Sequence, residues 1–342
     1  MRHSKDRSVS WPQRAMKIMT ALAFVAGVFL FAYLLKRYHP RDVLLAVAAA
    51  GWGVLYISAY RFVSIATDAA GWRELFPGRK PQAWLLVVLR WIGEAVNTLI
   101  PVAQVGGGVV RARLLGRAEG NYVPASAATA VDFTVGVFAQ VVYTILGMAL
   151  FFHATRPQTR ALQNGMLAAT VFMFAALAVL YAVQRGGMFH KLATGFQTAL
   201  AGNMSSMTRH FKSGAEALDT AVTELYASPG ALARCAAWRV SGSLLRTAEA
   251  WIAMHFLGTP VSWGEALILE SLSSAVRSAV FFVPAGVGAQ EGGLLLIGSA
   301  LGIAPASCLA LSLVKRAREI IVGVPGLATW GVLERMKIRS AG

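Results

Sequence analysis

Acidic residues are scarce in this chain: 16 Asp and Glu stand against 32 Lys and Arg in 342 residues, a formal charge of +16. A surplus of that size would suit a nucleic-acid partner. However, the basic residues lie mostly between or beside apolar segments, and no recognisable nucleic-acid motif accompanies them. Placed so, they read as residues at a membrane surface facing anionic lipid, and no nucleic-acid partner is expected. Cysteine is nearly absent. Cys235 and Cys308 have no CxxC spacing, which excludes a disulfide framework or a thiolate zinc site. Enzyme signatures are missing too. There is no Gly-x-Ser-x-Gly elbow, no His-Glu-x-x-His, and no grouping of the six histidines at ligand spacing. Gly286-x-Gly288 begins like a dinucleotide fingerprint but has Glu291 where the third glycine belongs, and Gly106 to Gly108 lacks a following Gly-Lys-Ser/Thr. No catalytic residue, metal or cofactor is therefore expected.

What the chain has in abundance is apolar sequence: 56% of residues are hydrophobic, against roughly 45 to 50% in an average soluble chain. A bilayer crossing takes about 20 residues at about 1.5 Å each. Apolar runs near 18–35, 43–64, 83–105, 125–152 and 165–184 meet that length, and 18–35 reads as a retained first helix. Further runs lie near 231–257, 264–283, 291–303, 305–323 and 319–333, several of them too short for a full crossing. The fold class is all-α: a polytopic integral membrane protein with about seven to nine spans. Residues 1–17 form a basic N-terminus, which the positive-inside rule places in the cytoplasm. Two membrane halves, 18–184 and 229–334, flank a polar connecting segment at 185–228, and a basic tail occupies 335–342.

Each half contains an interruption. In the second, Pro284, Gly286, Gly288, Gln290, Glu291, Gly292 and Gly293 sit between very apolar stretches. In the first, Asn97, Pro101, Gln104, Gly106 and Gly107 do the same. Both follow proline with Gln-x-Gly-Gly, the proline-to-glutamine spacing being three residues longer in the second. Proline lacks the N–H a helix needs, so a helix is expected to stop near Pro284 and restart near Gly292. Paired interrupted segments in two halves of a membrane protein point to a central binding site.

Ionisable residues recur inside the apolar runs: Glu94, Asp132, Arg239, Arg246, Glu249, Glu270, Arg277 and Glu291, then Lys315, Arg316, Arg318 and Glu319. An ion at the bilayer centre costs at least about 2.5 kcal/mol on the insertion scale, so such groups need partners or water. Arg246 with Glu249, and Glu270 with Arg277, have spacings that let each pair share a helical face. Arg111 and Arg113 follow the first interruption, where a guanidinium fork suits a phosphate or carboxylate. The residues expected to meet a lipid head are Glu94, Asn97, Gln104, Arg111, Arg113, Asp132, Arg246, Glu270, Arg277, Gln290 and Glu291.

The block Arg90-Trp91-Ile-Gly-Glu94-Ala-Val-Asn97-Thr-Leu-Ile-Pro101-Val-Ala-Gln104, with Arg111 and Arg113 after it, resembles the flippase-like family related to the membrane half of lysylphosphatidylglycerol synthases. Pro284 to Gly293, followed by Lys315-Arg316-Ala-Arg318-Glu319 and Pro325-Gly326, resembles its hopanoid-biosynthesis-associated branch, the HpnL type. The chain departs from many relatives at Gly108, where they carry an acidic residue, and at Phe133, where they carry arginine. The resemblance implies an inner-membrane protein that moves or handles lipids, with hopanoids or phospholipids as partners. A lipid-modifying transferase and a scaffold for lipid-synthesis enzymes are the alternatives.

Overall fold

The computed structural model describes residues 48, 50–78, 80–100, 106–154, 160–187, 191, 205–279 and 288–338. Among them run ten helices and no strand: α1 (Gly53–Glu74), α2 (Ala83–Leu99), α3 (Gly106–Glu119), α4 (Tyr122–Ala154), α5 (Arg160–Arg185), α6 (Ser205–Tyr226), α7 (Pro229–Phe256), α8 (Trp263–Ala279), α9 (Ala289–Ala300) and α10 (Pro305–Ile338). Local sequence sets several of the ends. Pro229 and Pro305 open α7 and α10, where a missing N–H removes nothing from the helix ladder. Ser262 and Glu265 cap α8 reciprocally: the Glu265 N–H donates to Ser262 Oγ at 3.2 Å, and the Ser262 N–H to Glu265 Oε2 at 2.7 Å.

Several expectations shift. The run near 43–64 becomes α1, which continues ten residues further, to Glu74. The two runs expected at 305–323 and 319–333 are one helix, α10, which continues through Pro325. In the turn next to that proline, Trp91 Nε1 donates to the Val322 carbonyl at 2.7 Å and fastens α2 to α10. Gly106 and Gly107 open α3 rather than standing in a break, and Gly292 and Gly293 lie in the first turns of α9, which restarts at Ala289. The basic N-terminus and first apolar run, together with Pro101, Gln104, Pro284 and Gly286, lie outside the described residues. The polar segment near 185–228 is not wholly superficial, since Val222 and Leu225 of α6 join the core.

Tyr122–Ala154 is, among the described residues, the one helix both long and apolar enough to cross a membrane on composition. At about 1.5 Å per residue it spans about 50 Å. α1, α7 and α10 are also long but carry the charges described below. Polarity is arranged inside out. Leu167, Val171, Phe172 and Phe174 of α5, with Ile320 and Val324 of α10, face outward, while Asp132 and Ser243 are fully enclosed.

Packing has an internal correspondence. The most extensive contact joins α1 to α7, with Gly53 against Phe256 and Gly71 against Trp238, so these helices run antiparallel. Exchanging α1–α4 for α7–α10 in order maps each packed pair onto another packed pair: α2 with α10 onto α8 with α4, and α4 with α7 onto α10 with α1. The interrupted pairs α2–α3 and α8–α9 correspond as well. In the first, Gly107 touches Gly93, and in the second Gly293 touches Val276.

The first of these contacts is the tightest. A Cβ on Gly107 would lie 1.9 Å from the Gly93 carbonyl oxygen, and the Gly107 N–H donates to Asn97 Oδ1 at 2.8 Å. Gly107→Ala is therefore expected to push α3 off α2 and cost about 1–3 kcal/mol, the usual penalty of overpacking. Gly108→Ala meets only the Thr129 methyl at 3.7 Å. It should be neutral or gain about 0.5–1 kcal/mol from helix propensity. Thermal midpoints of the two purified variants in one detergent check the contrast.

Candidate functional site

The described charges inside the bundle form two adjoining groups. The first centres on Asp132 of α4, which has no exposed surface. Its Oδ2 accepts from Arg90 of α2 at 2.7 Å and from Arg111 of α3 at 2.6 Å. Arg239 of α7 lies 3.7 Å from its other oxygen. Asp68 of α1 closes the group, 3.0 Å from Arg239, 3.3 Å from Arg90 and 3.9 Å from Arg246. Arg111 also lies 4.6 Å from the centre of the Trp72 ring, a cation–π contact. Five helices thus converge on two carboxylates.

The second group runs across α2, α1, α7, α10, α8 and α9. Glu94 accepts from Arg61 Nε at 2.7 Å, and the same guanidinium lies 3.6 Å from Glu249. Glu249 is 3.2 Å from Arg318, whose other end is 3.7 Å from Glu319. Glu319 accepts from Arg277 at 2.9 Å and from Arg316 at 3.1 Å. Arg316 then reaches Glu291 at 2.9 Å. Glu291 is 1% exposed and has its acceptors occupied: Oε2 takes the Gly288 N–H at 2.6 Å, and Oε1 takes Ser312 Oγ at 3.1 Å besides Arg316. Gly288, at φ +83°, holds the left-handed turn that brings its N–H to that carboxylate. Lys315 pairs with Glu270, which also accepts from Ser274 Oγ at 3.4 Å.

Of the residues expected to meet a lipid head, Asp132, Arg111 and Arg246 meet in the first group, while Glu94, Arg277 and Glu291 belong to the second. Glu270 stands beside it with Lys315. Asn97 bridges the first interruption through Gly107, and Gln290 is buried with its Oε1 unpartnered. Arg113 stands apart: its side chain is 61% exposed and lies 3.6 Å from Glu334. The pairings expected within single helices do not form. Arg246 donates to Ser243 and faces Asp68, Glu249 turns to Arg61 and Arg318, Glu270 takes Lys315, and Arg277 takes Glu319. Contacts between helices win because each also closes a helix–helix interface.

Arg61 and Asp68 are absent from the charges singled out in the sequence, and Arg90 appears there only at the head of the family block. Asp68 was placed beyond the end of an apolar run, although α1 continues past it. The seven-residue spacing of Arg61 and Asp68, two helical turns, was the available signal. Arg90 and Glu94 carried a similar signal one turn apart.

The family of the lysylphosphatidylglycerol synthase transmembrane region matches residues 17–326 of the chain. The match covers most of its length, so the chain belongs to that family and is a membrane protein of a family tied to lipid synthesis or flipping. No curated protein and no solved structure matches it.

Asp132 is the carboxylate on which the first group depends. Asp132→Asn leaves Arg90, Arg111 and Arg239 without their shared counter-charge and should cost about 3–5 kcal/mol, as breaking a buried ion pair does. Combining it with Arg111→Gln should cost less than the sum of the single changes, because the two share one interaction. A double-mutant cycle on denaturation midpoints in detergent measures the coupling.

Proposed function

We propose that the chain moves an amphiphilic lipid between the leaflets of the bacterial inner membrane. The lipid's polar head would pass along the buried charges while its tail stays against the apolar exterior. One observation carries this reading: two adjoining ionic groups, drawing together on eight of the ten described helices, inside a bundle whose outer face is aliphatic and aromatic. Ions held at membrane depth are costly, and transport paths are a main reason membrane proteins keep them. The correspondence between α1–α4 and α7–α10 supports the same reading. A twofold rotation that interchanges two antiparallel helices has its axis across them, as in transporters built from inverted repeats around a midplane site.

The hopanoid-associated features around Pro284 to Gly293 make hopanoids, or phospholipids handled with them, the preferred cargo. The basic residues Arg2, Lys5, Arg7, Arg14 and Lys17 support a cytoplasmic N-terminus. A non-enzymatic role is favoured because Asp132, Glu291 and Glu319 are each held by cations, which leaves no carboxylate among these three free to act as a general base.

Purified protein in vesicles carrying a head-labelled lipid tests the proposal, with an impermeant quencher added outside. The protein should speed loss of the inner-leaflet signal well beyond protein-free vesicles while the lipid's mass stays unchanged. Arg316→Gln, which removes the link between Glu291 and Glu319, should slow it by about tenfold, the worth of one charge-assisted contact. Redistribution no faster than in empty vesicles would sink the proposal, and a lipid of new mass would replace transport with transferase chemistry.

A further inference from the structure

The two charge groups differ in balance. In the second, the carboxylates Glu94, Glu249, Glu319 and Glu291 face Arg61, Arg318, Arg277 and Arg316, and Glu270 faces Lys315. The cations and anions match. In the first, Arg90, Arg111, Arg239 and Arg246 make ion pairs within 4 Å only to Asp68 and Asp132 among the described residues. Two positive charges are left over, in a place where water is scarce. Such an excess is expensive to bury without a counter-ion.

The donors show the same shortfall. Arg111 is 6% exposed, yet its Nη1 has no hydrogen-bond partner, whereas the unpartnered Nε of Arg239 faces the equally unpartnered Oδ1 of Asp132 at 3.7 Å. Arg246 uses one nitrogen on Ser243 at 2.6 Å, and the nearest carboxylate to it, Asp68, stands at 3.9 Å. Arginine side chains rarely stay under-used in an interior, since each guanidinium offers five N–H groups. The parts still open belong to Arg246, Arg239 and Arg90, with 20%, 14% and 13% of their side chains exposed. A ligand would meet these three first.

We propose that this group is a binding site for a phosphomonoester, a head group that carries close to two negative charges at neutral pH. Its charge matches the excess. Its three terminal oxygens suit several guanidinium forks at once, which a chloride ion or a single carboxylate does not. A phosphodiester, with one charge and two free oxygens, neutralises half of the surplus. The site specifies the cargo of the transport proposal above and rests on that reading for the lipid tail, but binding itself can be measured without transport.

Phosphatidic acid and phosphatidylglycerol, each in nanodiscs with the full chain, provide the lipid comparison, and glycerol 3-phosphate added to protein in detergent provides the soluble one. Phosphatidic acid should bind about tenfold or more tightly than phosphatidylglycerol, the worth of an added charge-assisted contact. Arg246→Gln should abolish that preference. This residue is the least embedded of the four, so its variant is the one expected to fold, and Arg239→Gln serves as the second. Binding of phosphatidic acid without glycerol 3-phosphate assigns the site to a lipid head, and equal binding of both assigns it to phosphate from either source. Equal affinity for the two lipids, or an unchanged preference in both variants, overturns the proposal. Selective binding without lipid movement in vesicles leaves the site standing and removes transport, whereas movement of both lipids at one rate does the reverse.

Discussion

The shared carboxylate of Asp132 is the contact on which the rest of the bundle depends. It sits on the longest apolar helix, has no exposed surface, and draws in arginines from α2, α3 and α7. None of those arginines would tolerate the interior alone. Once Arg90, Arg111 and Arg239 are committed to it, the helices that carry them are committed to their mutual positions. Apolar packing then fills the remaining space, with Trp72, Leu86, Leu89, Ile92 and Leu115 completing one core cluster. In this chain charge decides which helices meet, and hydrophobic burial decides how closely.

That division of labour explains how the interrupted helices are held. α3 and α9 are too short to cross a bilayer, so neither can be placed by length alone. Each is fixed by contacts near its start. For α3 these are the Gly107–Gly93 contact and the Asn97 hydrogen bond, and for α9 they are the Glu291 carboxylate, which ties Gly288 to Ser312 and Arg316. The two halves solve the same problem with opposite charges. An acid on α4 gathers bases, and a base on α10 gathers acids.

Much of this was legible in the sequence, for physical reasons. Apolar runs of sufficient length identify helices in a membrane, and α4 lies within three residues of its expected ends at both sides. Charges in such runs stand out because they are costly, which is why Asp132, Glu249, Glu270 and Glu291 could be singled out. Partner choice was not legible. Helical spacing favoured Arg246 with Glu249, but pairing is set by which helices pack together, and that is a property of the whole bundle. Asp68 and Arg61 were hidden for a related reason: a hydropathy boundary ended the run ten residues before α1 ends. The glycines near positions 107 and 293 read as breakers, whereas Gly107 is a close helix–helix contact whose need appears only when α2 lies beside it.

The uneven distribution of charge also bears on how the protein is made. Interior charges of α1–α4 balance, with Arg61, Arg90 and Arg111 against Asp68, Glu94 and Asp132. The surplus comes with the later helices, beginning with Arg239 and Arg246 on α7. Each arginine near the middle of an inserting segment raises its insertion free energy by about 2.5–3.5 kcal/mol. Because translation runs from the N-terminus, Asp68 and Asp132 are synthesised before α7 emerges. The two carboxylates that the arginines of α7 meet are thus already made when α7 leaves the ribosome.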